Sequence, residues 1–143
     1  MSDTSNNKPH LSFWIVGILA LVWNLLGAIN FIAQMNPEMV AAMSEAHQVL
    51  INGRPLWGTI AFGVAVFGGS LGCILLLMRK SLAVFAFVAS LLGVMIQLAP
   101  NFKLAGEINM TPTGILMMLV MPLLIAAFLA WFSLQTQNKG WIK

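Results

Sequence analysis

The sequence predicts an all-α integral membrane protein, a four-transmembrane-helix bundle with an amphipathic outer-loop helix between spans 1 and 2. Three observations carry that expectation. Of 143 residues, 59% are hydrophobic and only 8% charged, against about 25% charged in an ordinary soluble domain. The apolar residues gather into four stretches, 11–34, 56–78, 81–99 and 112–134, each close to the roughly 20 residues needed to cross a ~30 Å hydrocarbon core. None of the four contains Arg, Lys, His, Asp or Glu. A water-soluble fold would have to expose runs such as 71–78, with too little polar surface to cover them.

Residues 1–10 are polar and read as a disordered cytoplasmic N-terminus. The first span follows Lys8 in the manner of a secretory signal, but it exceeds the roughly 7–15 residues of a signal core. Asn24, Asn30 and Gln34 within it mark a retained bundle helix. Residues 35–55 read as one helix, with Asn36 as cap, Pro37 at the first position, Glu38 at the positive end of the dipole and Gly53 as terminator. At 100° per residue, Met39, Val40, Met43, Ala46, His47, Leu50 and Ile51 share one arc, opposite Glu38, Ala41, Glu45 and Gln48. Such a helix belongs on the membrane face or over the bundle mouth.

Arg79 and Lys80 make a tight turn between spans 2 and 3, and residues 100–111 form a small loop whose Thr111 and Pro112 open the fourth helix. Residues 135–143 are the C-terminal tail. With both termini cytoplasmic, Lys8, Arg79, Lys80, Lys139 and Lys143 lie inside and only Arg54 and Lys103 outside, as the positive-inside rule asks. Trp14, Trp57 and Trp131 near span ends fit the same frame, in the inner membrane of a bacterium.

Composition narrows function by exclusion. The net charge of +3 comes from scattered cations, which give no basic stripe for a nucleic acid. The single Cys73 supplies neither a disulfide nor a thiolate cage, and both histidines lie outside the spans, away from any membrane-depth haem. Met35, Met39, Met43 and His47 are spaced by four in a way that would suit Cu(I). An apolar arc at a membrane surface accounts for them without a metal. No catalytic constellation is present, so no enzymatic role and no cofactor are assigned.

Two constellations remain. Ala61, Ala65, Gly69 and Cys73 recur every four positions in the second span, with Gly58, Gly68 and Gly72 on the adjoining ridge. Small faces let backbones approach closely, which in lipid is a main source of helix association. This face packs either within the chain or against a partner. Asn24, Asn30, Gln34 and Gln97 are amides that would lack partners against lipid. They either bond neighbouring helices or line a cavity for an uncharged solute, with Trp23 as a stacking wall. Pro122 removes one amide donor and crowds the carbonyl of Met118, so the fourth span should kink there as a static feature or a hinge.

The runs Trp23-Asn24-Leu25-Leu26-Gly27-Ala28, Val64-Ala65-Val66-Phe67-Gly68-Gly69-Ser70-Leu71-Gly72 and Leu75-Leu76-Leu77-Met78-Arg79-Lys80, with Trp57, resemble a group of small bacterial four-span proteins that commonly carry the label sugar transporter. The likeness covers the first two spans and the start of the third. It implies a transporter-like role and assigns no site residues. The Pro-Gln pair and three-span repeat of the small sugar facilitators are absent. The leading expectation is a facilitator for an uncharged polar solute, working as a homo-oligomer, with a dimer the smallest assembly to enclose a path. The alternative is an accessory subunit that docks another membrane protein through the Gly/Ala-rich second span.

Overall fold

The computed structural model describes residues 8–143, and the expectation for residues 1–7 lies outside them. The elements in chain order are α1 (Leu11–Ala33), α2 (Pro37–Ala41), α3 (Glu45–Asn52), α4 (Leu56–Leu77), α5 (Leu82–Glu107), α6 (Pro112–Ile115), a π-helical turn (Leu116–Val120) and α7 (Met121–Asn138). No strand occurs among the described residues. Four helical segments are long and apolar enough to cross a membrane: α1, α4, α5, and α6 through α7 taken together. They form an all-α four-helix bundle.

The central pair is α4 and α5, with α1 laid on α4 and α7 on α5. Backbone proximity fixes that pair. A Cβ at Gly93 on α5 would stand 2.6 Å from the Ala61 carbonyl oxygen and 2.9 Å from the Ala65 nitrogen, so only glycine lets the two helices meet there. The Ser90 hydroxyl donates across the same seam to the Ala65 carbonyl at 2.6 Å. One level along, Gly72 accommodates the Phe87 ring, and Gly69 accommodates the Asn24 side chain from α1. The small-residue face of α4 therefore packs inside the chain: Ala61, Ala65, Gly69, Gly72 and Cys73 are buried, and Gly68 lies against Ala86 and Ser90.

The start of α1, the C-terminal residues and the α4–α5 turn lie at one end. Lys143 donates its backbone N–H to the Arg79 carbonyl at 3.0 Å, and Arg79 Nε donates to the Trp141 carbonyl at 2.8 Å. The His10 ring meets Trp141 edge-on at 5.2 Å. Arg79 adopts φ 60° and Gly140 φ 75°, the left-handed conformation that reverses a chain after a helix. Glycine adopts this conformation without a Cβ clash, whereas at Arg79 it is accompanied by the side-chain bond to the Trp141 carbonyl.

Three elements differ from the sequence expectation. The loop helix is split, because Ser44 caps a new helix: its hydroxyl accepts from His47 N–H at 3.4 Å and meets His47 Nδ1 at 2.8 Å. Gln48 Nε2 donates to the Met43 and Ala41 carbonyls at 2.8 and 3.3 Å, satisfying the broken end of α2. Met39 and His47 consequently sit on different helices, α2 and α3, and no longer share a face. The third span does not stop at Ala99: α5 runs through Pro100 to Glu107, with Pro100 buried against Gly58. Burial of the ring offsets the one helical hydrogen bond that proline removes. The fourth helix continues past Leu134 to Asn138.

At Pro122 the expected strain is met by the π-helical turn just before it. Met121 N–H reaches back five residues to the Leu116 carbonyl, and the widened turn places Pro122 in the first turn of α7, where no amide donor is required.

Candidate functional site

A cavity of about 350 Å³ lies between the helices, toward the end opposite the termini. Its walls come from every long element. Trp23, Asn24, Asn30 and Gln34 on α1 face Ser90, Val94, Gln97 and Asn101 on α5. His47, Leu50 and Ile51 on α3 close the mouth, and Met117, Met118 and Leu119 of the π-helical turn line the far side. All five residues singled out in sequence for a polar cavity, Trp23, Asn24, Asn30, Gln34 and Gln97, line this one space, and Pro122 lines it too.

Their roles divide by depth. Asn24 is buried and spends its amide locally, with Nδ2 donating to the Ala20 carbonyl at 2.8 Å and lying 3.7 Å from Cys73 Sγ. Ser90 is likewise committed to Ala65. Trp23, 39% exposed, and Asn30, also exposed, stand at the rim rather than within. The groups that remain available gather near the α3 end.

Arg54, in the short link between α3 and α4, is the centre of that group. Its Nη1 donates to Gln34 Oε1 at 3.3 Å and its guanidinium sits 5.1 Å from the Phe62 ring centroid. Arg54 Nε is buried with no hydrogen-bond partner, as is Asn101 Oδ1. Gly58 makes the approach possible, since a Cβ there would press on the Arg54 stem at 2.9 Å and on the Pro100 ring at 3.3 Å. Burial alone pulls the Arg54 guanidinium below its ordinary value, the mark of a cation without a nearby carboxylate.

Sequence reasoning missed Arg54 and Asn101 as site residues. The sequence places Arg54 only as an outer-loop cation, although no acid stands between Glu45 and Glu107 to pair with it locally. Asn101 falls in the loop that the sequence predicts over residues 100–111, since a proline commonly marks a helix end. No group of three or more His, Cys, Asp or Glu side chains suited to a metal ion occurs among the described residues. The arrangement can bind a ligand through one cation and several amides. Comparison of the chain with known protein families, with curated proteins and with solved structures finds no match.

Proposed function

We propose that this chain is a small membrane-spanning, transporter-like protein that binds its solute in the cavity between α1, α5 and the π-helical turn. The observation that carries the reading is convergence: the amides of Gln34, Gln97 and Asn101 and the guanidinium of Arg54 meet in one space of about 350 Å³, within the size range of small-molecule sites. A purely structural amide would be expected to have its partners inside the bundle, as Asn24 does. Asn101 Oδ1 has none.

The accessory-subunit alternative rests on the small-residue face of α4, and that face is filled by α1 and α5. Transport therefore ranks first. In this proposal the termini lie in the cytoplasm of a bacterial inner membrane, a reading that the cation excess at the Arg79 end supports, and a homodimer is the assembly that would let so small a unit enclose a path. The amides by themselves suit an uncharged solute. Arg54 changes the terms of that expectation.

The test is aqueous access. In a Cys73→Ala background, a membrane-impermeant methanethiosulfonate should modify Gln97→Cys, while Ala83→Cys, on the fully buried α4–α5 seam, should stay unmodified. Protection of Gln97→Cys from both sides of the membrane would overturn the proposal.

A further inference from the structure

The lining of the cavity is uneven, and that unevenness describes an occupant. At the α3 end stands a half-buried cation, Arg54, whose guanidinium Nε has no acceptor among the described residues. A guanidinium in a partly desolvated site favours an oxyanion over any neutral group, because charge-assisted hydrogen bonds are about twice as strong as neutral ones.

Deeper in, the walls are apolar. Val94, Leu119, Ile125 and Leu129 line this part, and the polar groups among them, Asn24 and Ser90, are already bonded to backbone carbonyls. The cavity also opens sideways. α1 and α7 lie on opposite members of the central pair and are not packed along their lengths; they approach where Phe13 stacks on Phe132 at 6.2 Å, near the termini. Toward the other end, the cavity reaches Leu26 on α1 and Met117 on the π-helical turn, which are 59% and 54% exposed on the flank of the bundle. In a bilayer that flank faces hydrocarbon.

We infer that the occupant is an anionic amphiphile, with a carboxylate or phosphate head on Arg54 and a hydrocarbon tail in the cleft between α1 and α7. The inference rests on the cavity being the solute site and adds the class of solute. Gln34 holds Arg54 in place through its side-chain oxygen, and Phe62 supports the other side of the guanidinium. The head is supplied either by a free single-chain acid or by an anionic phospholipid, which present the same oxyanion chemistry.

Native mass spectrometry of the full chain in neutral detergent tests it, with dodecanoate, dodecanol and inorganic phosphate as probes. Dodecanoate should bind saturably, one per chain, and more tightly than either other probe. Arg54→Gln should weaken it roughly tenfold or more, the size of a lost charge-assisted contact, while Arg54→Lys should retain most of the affinity. In phosphatidylcholine nanodiscs doped with phosphatidylglycerol, co-purifying phosphatidylglycerol lost in Arg54→Gln identifies a lipid source, and its absence identifies a free acid. Equal binding of dodecanol, or phosphate binding as tightly as dodecanoate, overturns the inference. So does an Arg54→Gln protein that is folded by circular dichroism and binds dodecanoate undiminished. Met118→Trp, which fills the cavity, separates the two levels: if it abolishes dodecanoate and dodecanol alike while Arg54→Gln changes neither, the site stands and the charge inference falls. If Met118→Trp alters neither ligand, the site falls with it.

Discussion

The two ends of this bundle are built from the same four helices and differ in how completely they are filled. At the Arg79 end, Phe13, Leu76, Ala83 and Ile142 are almost wholly buried in one cluster, and the chain terminus folds back to complete it. Backbone polar groups there are paired, Lys143 with Arg79 and Arg79 with Trp141. At the Arg54 end, helices of the same apolar composition stand around a cavity with two buried polar atoms unpaired. The closed end has side chains that match its space, whereas the open end has polar groups whose partners must come from elsewhere. Packing is the default for apolar helices, so the unfilled end is the informative one.

The largest effect expected from perturbing that contrast is at the seam holding both ends together. Gly93→Leu would drive a side chain into the Ala61 and Ala65 backbone, where no rotamer change can relieve it, and should abolish the monodisperse protein on size exclusion. A stable Gly93→Leu bundle would show that α4 and α5 do not meet as described.

Next in size is the closed end. Ile142→Ala should cost about 2–4 kcal/mol, since a buried side chain leaves a cavity that its neighbours cannot close, and thermal denaturation in detergent measures it. A loss below about 0.5 kcal/mol would indicate that the tail is not part of the core. The same measurement on Asn24→Ala should give a smaller loss, about 0.6–1.7 kcal/mol, the range of one interhelical or helix-internal bond in a membrane protein. Because Asn24 is already bonded to Ala20, dodecanoate binding should survive this change, in contrast to Arg54→Gln.

Smallest of all are two changes expected to be neutral or stabilising. Asn101→Leu removes an acceptor that the fold leaves unpaired and should raise stability by up to about 1 kcal/mol, a functional residue being dispensable to the fold. Gly106→Ala meets nothing within 4 Å and should gain about 0.5 kcal/mol through helix propensity. Set beside Gly93 on the same helix, it shows that the glycine matters only where a backbone lies against it.

Charge-free stretches made the four long helices legible, because lipid-crossing segments must be apolar along their whole length and the pattern needs no tertiary information. Four of the five cavity-lining residues are amides and share a related signal, since amides inside such stretches favour the bundle interior, although Asn30 stands exposed at the rim. The split between α2 and α3 was harder to read, since Ser44 looks like any polar residue on a helix until its hydroxyl is seen to accept from His47 N–H. Arg54 was harder still, because a loop residue enters the bundle only through the path its loop takes.

By itself, then, the sequence determined which segments are helices of membrane-crossing length and which of their faces are small or polar, as both follow from local composition and the helical repeat. Tertiary structure alone decided that Pro100 lies inside a helix, that Pro122 is met by a π-helical turn, and that Arg54 turns inward beside Gln34 and Phe62. Each depends on what stands opposite: Gly58 makes room for the Arg54 stem and the Pro100 ring together, and residues so far apart in the chain acquire that relation only when α4 and α5 are packed.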